Sequence, residues 1–67
     1  MNLDDISRYV WISNGIIRYD KRAIETLGSD LQLFLSCAVD NIVDTEDGET
    51  IDYEQAIKDF NETKEKP

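Results

Sequence analysis

An Asn14-Gly15 pair between two strand-forming segments is the feature that most constrains the fold of this chain. Both central residues of a type I′ turn need positive φ angles, which Asn and Gly adopt more readily than other residues. A two-residue loop at this point fixes the register of the flanking strands, and therefore decides which side chains share a face. The predicted apolar face of this hairpin consists of Val10, Ile12, Ile17 and Tyr19, and the opposite face carries Trp11 and Arg18.

The residues before this turn also fit a helix. Leu3, Ile6 and Val10 recur at helical spacing, and a single helix could run from an N-cap at Asn2 to a C-terminal glycine at Gly15. The Tyr-Val-Trp-Ile segment within this stretch is rich in β-branched and aromatic residues, which favour strands. We therefore favour one or two helical turns followed by strands, with the helix left as the alternative.

The strongest helical signal begins at Ser29. Ser29 and Gln32 have the spacing of a capping box, in which each side chain bonds the backbone N–H of the other residue. Apolar residues then recur every three or four positions, which predicts a central helix from Ser29 to about Asp44. A shorter helix over residues 22–27 precedes it and ends at Gly28.

A second capping box predicts the last helix. Asp52 and Gln55 form this box, and residues 46–49 form the turn before it. The buried stripe of the last helix is predicted to be Tyr53, Ala56, Ile57 and Phe60.

These elements predict a small α+β protein. We expect a single domain over residues 1–67, in which an N-terminal β-hairpin packs on two main α-helices. The ordered core is predicted to span about residues 3–62, and residues 63–67 to form a frayed tail. A domain of this size has a stability margin of only about 3–5 kcal/mol.

Acidic residues dominate the middle of the chain. Between Arg22 and Lys58 there is no lysine, arginine or histidine, but there are nine carboxylates, seven of them within the fifteen residues from Asp40 to Glu54. Asp52 and Glu54 lie in the first turn of a predicted helix, where the helix dipole favours negative charge. Five acids in the run have no such local role: Asp40, Asp44, Glu46, Asp47 and Glu49.

Asp40 and Asp44 are unfavourable in the predicted central helix. They lie in its last turns, where the dipole favours cations, and four residues apart they repel each other. Because local rules tend to be broken at functional sites, we predict that the five acids form a partner-binding face. The alternative is a solvated surface that serves solubility, with Arg8, Arg18 or Arg22 folded over it.

Metal sites and catalysis find little support in the sequence. The chain has no histidine and one cysteine, Cys37, so the usual zinc ligand sets cannot form. A calcium loop centred on Gly48 would place Val43 and Thr45 at ligand positions that need oxygen-rich acidic side chains. Without histidine, no nucleophile has an ordinary general base. We expect a non-enzyme that needs no metal and no cofactor.

The charge of the chain also limits where the protein is expected to be located and what it can bind. The acidic N-terminal residues lack the basic and apolar pattern of a signal peptide, and no apolar run is long enough to span a membrane. A net charge of −8 opposes direct binding to nucleic acid or anionic lipid. A cytoplasmic protein is expected, and a homodimer is left open.

In size and charge, the chain resembles the small phage-encoded inhibitors that mimic DNA. Spread over about 20–25 Å, the seven carboxylates of residues 40–54 would give about one charge per 3 Å, close to the phosphate spacing of a DNA strand. The resemblance implies a protein of the host cytoplasm that inhibits a basic DNA-binding protein, such as a histone-like nucleoid protein or a transcription factor. The alternative is an adaptor that docks through an apolar patch of Trp11, Ile16 and Leu33.

Overall fold

The computed structural model describes residues 2–65, so Met1, Lys66 and Pro67 lie outside the description. The described chain has four α-helices and two separate two-stranded antiparallel sheets, which confirms the α+β class. A 3₁₀ turn over Gly28–Asp30 links the second and third helices. In chain order, the elements are α1 (Leu3–Tyr9), β1 (Val10–Ser13), β2 (Ile16–Tyr19), α2 (Lys21–Leu27), α3 (Leu31–Asp40), β3 (Ile42–Thr45), β4 (Gly48–Ile51) and α4 (Tyr53–Glu65).

The first hairpin has the predicted register. Strands β1 and β2 pair Val10 with Tyr19 and Ile12 with Ile17. Asn14 and Gly15 have φ angles of 53° and 77°, the positive values that a type I′ turn requires. The preference for a short helix followed by strands is also confirmed, because α1 ends at Tyr9 and β1 begins at the next residue. The side chain of Asn2 caps α1 by accepting a hydrogen bond from the Asp4 N–H.

The predicted central helix is wrong at both ends. The Ser29–Gln32 capping box does not form, because residue 29 lies in the 3₁₀ turn and α3 begins at Leu31 without a side-chain cap. The helix stops at Asp40 rather than near Asp44. From there the chain enters a second hairpin, β3–β4. Only its turn was predicted from the sequence. The β-branched pair Ile42-Val43 favours a strand at this point, and Glu46 and Asp47 form the two-residue turn of the hairpin.

The other two helices match their predictions more closely. Helix α2 ends at Gly28, which has a φ angle of 54°, and the side chain of Asp20 caps its start by accepting from the Arg22 N–H. The side chain of Asp52 caps α4 by accepting from the Gln55 N–H at 3.2 Å. The helix continues to Glu65, so residues 63–65 are helical where a frayed tail was predicted. The rest of that tail lies outside the described residues.

The core lies where α3 and α4 pack together with α1, α2 and the inner face of the first hairpin. Phe34 of α3 and Phe60 of α4 meet edge to face, with ring centroids 5.9 Å apart. The layout therefore differs from a hairpin lying on two helices, since four helices and two hairpins contribute. None of the helices in residues 2–65 is long and apolar enough to cross a bilayer. The buried apolar residues are Ile6, Val10, Ala23, Leu31, Phe34, Cys37, Ala38, Ile51, Ala56 and Phe60.

Candidate acidic binding face

The second hairpin brings together four of the five acids that the sequence singled out. Asp44 lies on β3, Glu46 and Asp47 form the turn, and Glu49 lies on β4. Asp40, the last residue of α3, precedes the base of the same hairpin. All five side chains are exposed, and we refer to them together as the acidic face.

The acidic face is a compact patch rather than a line of charges. Each strand of the hairpin has four residues and so spans about 10–13 Å at 3.3 Å per residue. The DNA-like spacing predicted for residues 40–54 spreads the charges along one line, whereas the chain reverses direction at Glu46 and Asp47. Asp44 and Glu49 are directly opposed across the hairpin, so their charges are brought together by strand pairing rather than by one helix face.

The acidic face has no internal counter-ions. Within residues 2–65, the ion pairs are Lys21–Glu25, Arg22–Asp20 and Lys64–Asp30. The side-chain hydrogen bonds of the same residues include none to the five carboxylates of the acidic face. The alternative in which Arg8, Arg18 or Arg22 folds over these acids is therefore not what the structure shows.

Other acids in the chain have structural partners. The side chains of Asp20 and Asp52 cap α2 and α4, and Asp30 accepts a hydrogen bond from Lys64 Nζ at 2.8 Å. The Arg22 guanidinium, hydrogen-bonded to the carboxylate, lowers the pKa of Asp20. These acids have partners in the described fold, which the five carboxylates of the acidic face lack.

A polar cluster at the base of the second hairpin holds it against α4. Asn41 Nδ2 donates to the Cys37 carbonyl at 2.8 Å and to Asp59 Oδ2 at 2.9 Å. Gln55 Nε2 donates to the other oxygen of Asp59 at 2.9 Å. The Asp52 N–H donates to the Asn41 carbonyl and so extends the pairing of β3 and β4 by one step. This cluster was not predicted from the sequence, although an asparagine directly after an apolar helix is a typical signal for a helix end.

Acidification is expected to destabilise the protein through Asp59. The hydrogen bond from Asn41, followed by that from Gln55, lowers the pKa of Asp59 below its ordinary value. Its contribution to stability is therefore present above that ordinary pKa and lost as pH falls through the folded-state pKa. We expect the urea midpoint to fall as the pH is lowered below the ordinary Asp pKa of 3.8, and to fall less in an Asp59→Asn variant. Equal losses in both proteins would contradict this role for Asp59.

Relieving the repulsion between Asp44 and Glu49 is expected to stabilise the domain. Like charges directly opposite in an antiparallel pair are unfavourable, so Glu49→Gln should raise the free energy of unfolding by about 0.5 kcal/mol. Urea denaturation at low salt measures the change. Glu46→Gln makes the same change of charge at the turn, without an opposed carboxylate, and should have a smaller effect. A lower midpoint for Glu49→Gln would show that this carboxylate is needed by the fold.

The features relevant to metal binding and catalysis are few. Within the part of the chain that the structure describes, no group of three or more acidic or cysteine side chains is placed to hold a metal ion. Cys37 is buried in the core. Burial, followed by the nearby charges of Asp59 and Asp40, raises the pKa of the Cys37 thiol. The thiol therefore stays protonated and unreactive at neutral pH.

The three residues of the predicted apolar patch do not share one environment. Trp11 and Ile16 are exposed on the first hairpin. Leu33 is half-buried on α3 and packs against the core. The predicted apolar patch therefore combines one leucine that packs against the core with two residues that lie on the surface.

Strand β1 of the first hairpin lies beside strand β4 and the start of α4. Near the base, the Tyr53 hydroxyl donates to the Val10 carbonyl at 2.6 Å and ties the start of α4 to β1. Near the tips, a carboxylate oxygen of Glu49 lies 4.0 Å from the position that a β-carbon on Gly15 would take. The acidic face therefore borders the turn of the first hairpin.

In comparisons with known proteins, no family model, curated protein or solved structure matches this chain.

Proposed function

We propose that this protein is a non-catalytic acidic inhibitor that occupies the basic DNA-binding face of a nucleic-acid-binding protein. In this proposal Asp40, Asp44, Glu46, Asp47 and Glu49 stand in for DNA phosphates. The supporting observation is that all five side chains are exposed and that none of their carboxylates has an ion pair or a hydrogen bond within residues 2–65.

The folded arrangement favours recognition of a basic surface over a purely solubilising role. Four carboxylates on one short hairpin produce a local negative potential, and no cation within residues 2–65 forms an ion pair with them. Such a potential speeds association with an oppositely charged protein. It also repels DNA, RNA and anionic lipid, so the partner is a protein that itself carries a basic surface.

The compact shape of the acidic face defines how much of a DNA site it can replace. A patch of about 10–13 Å along the hairpin covers roughly three to four phosphate steps of one strand. The proposed inhibitor therefore blocks the centre of a DNA-binding groove instead of imitating a long duplex. A homodimer, which the sequence leaves open, would double this length.

DNA displacement from a purified histone-like nucleoid protein tests the proposal. We expect the wild-type protein to release bound DNA at low salt and to lose this ability steeply as salt rises, since screening weakens attraction between exposed charges. Failure to displace DNA from any basic protein tested would contradict the proposal. Capture of a partner that resists high salt would instead favour the adaptor function.

A further inference from the structure

The turn of the first hairpin holds an asparagine in a conformation that a side chain disfavours. Asn14 has a φ angle of 53° and is the single non-glycine residue with a positive φ angle in residues 2–65. Asn14 and Gly15 are both exposed. The pairing of β1 with β2 maintains this conformation, so Asn14 leaves it whenever the end of the hairpin opens.

The two groups that react when an asparagine deamidates are both free at this turn. No hydrogen bond within residues 2–65 involves the Gly15 N–H or the Asn14 carboxamide. Glycine has no β-carbon, so nothing shields its backbone nitrogen from the side chain of the preceding residue. The Gly15 nitrogen can therefore reach the Asn14 side-chain carbonyl with little steric resistance.

We infer that Asn14 is a site of spontaneous deamidation. The Gly15 nitrogen gives up its proton to solvent and forms a bond to Asn14 Cγ, while the bond from Cγ to Nδ2 breaks and ammonia leaves. Water then opens the resulting succinimide ring at one of its two carbonyl carbons. Opening at the side-chain carbonyl gives aspartate, and opening at the backbone carbonyl gives isoaspartate, in which the main chain runs through Cβ and Cγ.

The other asparagines lack these features. Asn2 caps α1, and the side chain of Asn41 donates two hydrogen bonds. Asn61 lies inside α4, where helical hydrogen bonding engages the backbone N–H of the next residue. The residues that follow these three are leucine, isoleucine and glutamate, whose side chains obstruct the attack. The reaction therefore selects Asn14.

The two products have different effects on the hairpin. Asp-Gly is also a preferred pair for a type I′ turn, so the aspartyl product keeps the strand register. It adds one negative charge to a chain whose net charge is −8. Isoaspartate inserts a methylene into the main chain of the two-residue loop, and this loop sets the pairing of β1 with β2. The isoaspartyl product therefore destabilises the first hairpin.

The folded hairpin also controls the rate. The succinimide ring requires a negative ψ angle at Asn14, whereas a type I′ turn holds this angle positive. The peptide between Asn14 and Gly15 must therefore rotate out of the turn geometry before the ring can close. The reaction proceeds through local opening of the hairpin end and is slower in the folded protein than in the unfolded chain.

Incubation of the protein at neutral pH, with and without denaturing urea, tests the site and its control by the fold. Mass spectrometry of peptides detects the exchange of a side-chain NH₂ for OH at each asparagine. We expect Asn14 to convert ahead of the other three asparagines, and about tenfold faster in urea than in the native protein. Asn14→Gly retains a pair suited to the turn and should show no conversion at residue 14.

The structural effect is tested on each product separately. A chain of 67 residues can be made by chemical synthesis with isoaspartate at position 14, and Asn14→Asp supplies the other product. We expect Asn14→Asp to keep the urea midpoint of the wild type and the isoaspartyl chain to have a lower one.

Conversion at another asparagine as fast as at Asn14, or equal rates for Asn14 in native protein and in urea, would overturn the inference. An isoaspartyl chain as stable as the wild type would overturn the predicted effect on the hairpin. None of these measurements involves the acidic face, so this inference is independent of the proposed function.

Discussion

Replacing Phe34 with alanine is expected to leave most of the protein unfolded at room temperature. Phe34 is fully buried and packs edge to face on Phe60, so it joins α3 to α4 at the centre of the core. Truncating a buried phenylalanine costs about 3–5 kcal/mol, through lost burial and the cavity left behind. A domain of 67 residues has a stability of about the same size.

Circular dichroism and urea denaturation measure this effect. Phe34→Leu keeps most of the apolar volume and should fold with an intermediate midpoint. Val39→Ala provides the control on the same helix, since Val39 is 55% exposed and should change stability by no more than about 0.5 kcal/mol. A cooperative transition of Phe34→Ala near that of the wild type would show that the core does not depend on the contact between α3 and α4.

The first hairpin could be predicted because its determinants are local. Asn14 and Gly15 supply the two positive φ angles, and the two-residue loop then fixes the pairing of all eight strand residues. The end of α3 could not be predicted in this way. Ile42 continues the helical spacing of the apolar residues, so periodicity alone extends the helix past Asp40.

The helix ends instead through contacts that are distant in sequence. Asn41 bonds the Cys37 carbonyl and also Asp59, which lies eighteen residues further along the chain. A contact of this kind overrides the local helix propensity, and a short stretch of sequence does not reveal it. The Asp47-Gly48 pair is a typical hairpin signal, but it would place the turn one residue later than the Glu46-Asp47 turn of the structure.

The candidate site was only partly predictable for the same reason. The five acids were identified from the absence of local partners in the sequence, and the structure leaves them without partners in the described residues. Their arrangement depends on β3–β4 pairing, which replaces the expected repulsion between Asp40 and Asp44 with one between Asp44 and Glu49. The sequence therefore revealed the negative charge of the acidic face, whereas the shape of this face depends on the tertiary structure.

Neutralising the whole acidic face is expected to reduce binding to a basic DNA-binding protein by about 100-fold, because electrostatic steering acts chiefly on the association rate. The variant replaces each acid by its amide and is compared with the wild type in DNA displacement and in stopped-flow association. Since the five carboxylates have no partners in residues 2–65, the fold should persist, with equal or higher stability. The substitutions are Asp40→Asn, Asp44→Asn, Glu46→Gln, Asp47→Asn and Glu49→Gln.

A control with the same change in net charge separates the acidic face from charge in general. Neutralising five exposed acids elsewhere also raises the net charge of −8 by five units. If the partner responds only to net charge, both variants will associate equally slowly. If it docks on the second hairpin, the control will keep most of the wild-type rate, because screening over about 8–10 Å limits the influence of distant carboxylates. Equal rates in the two variants at about 150 mM salt would therefore contradict the assignment of the acidic face. The control acids are Asp4, Asp5, Glu25, Glu54 and Glu62.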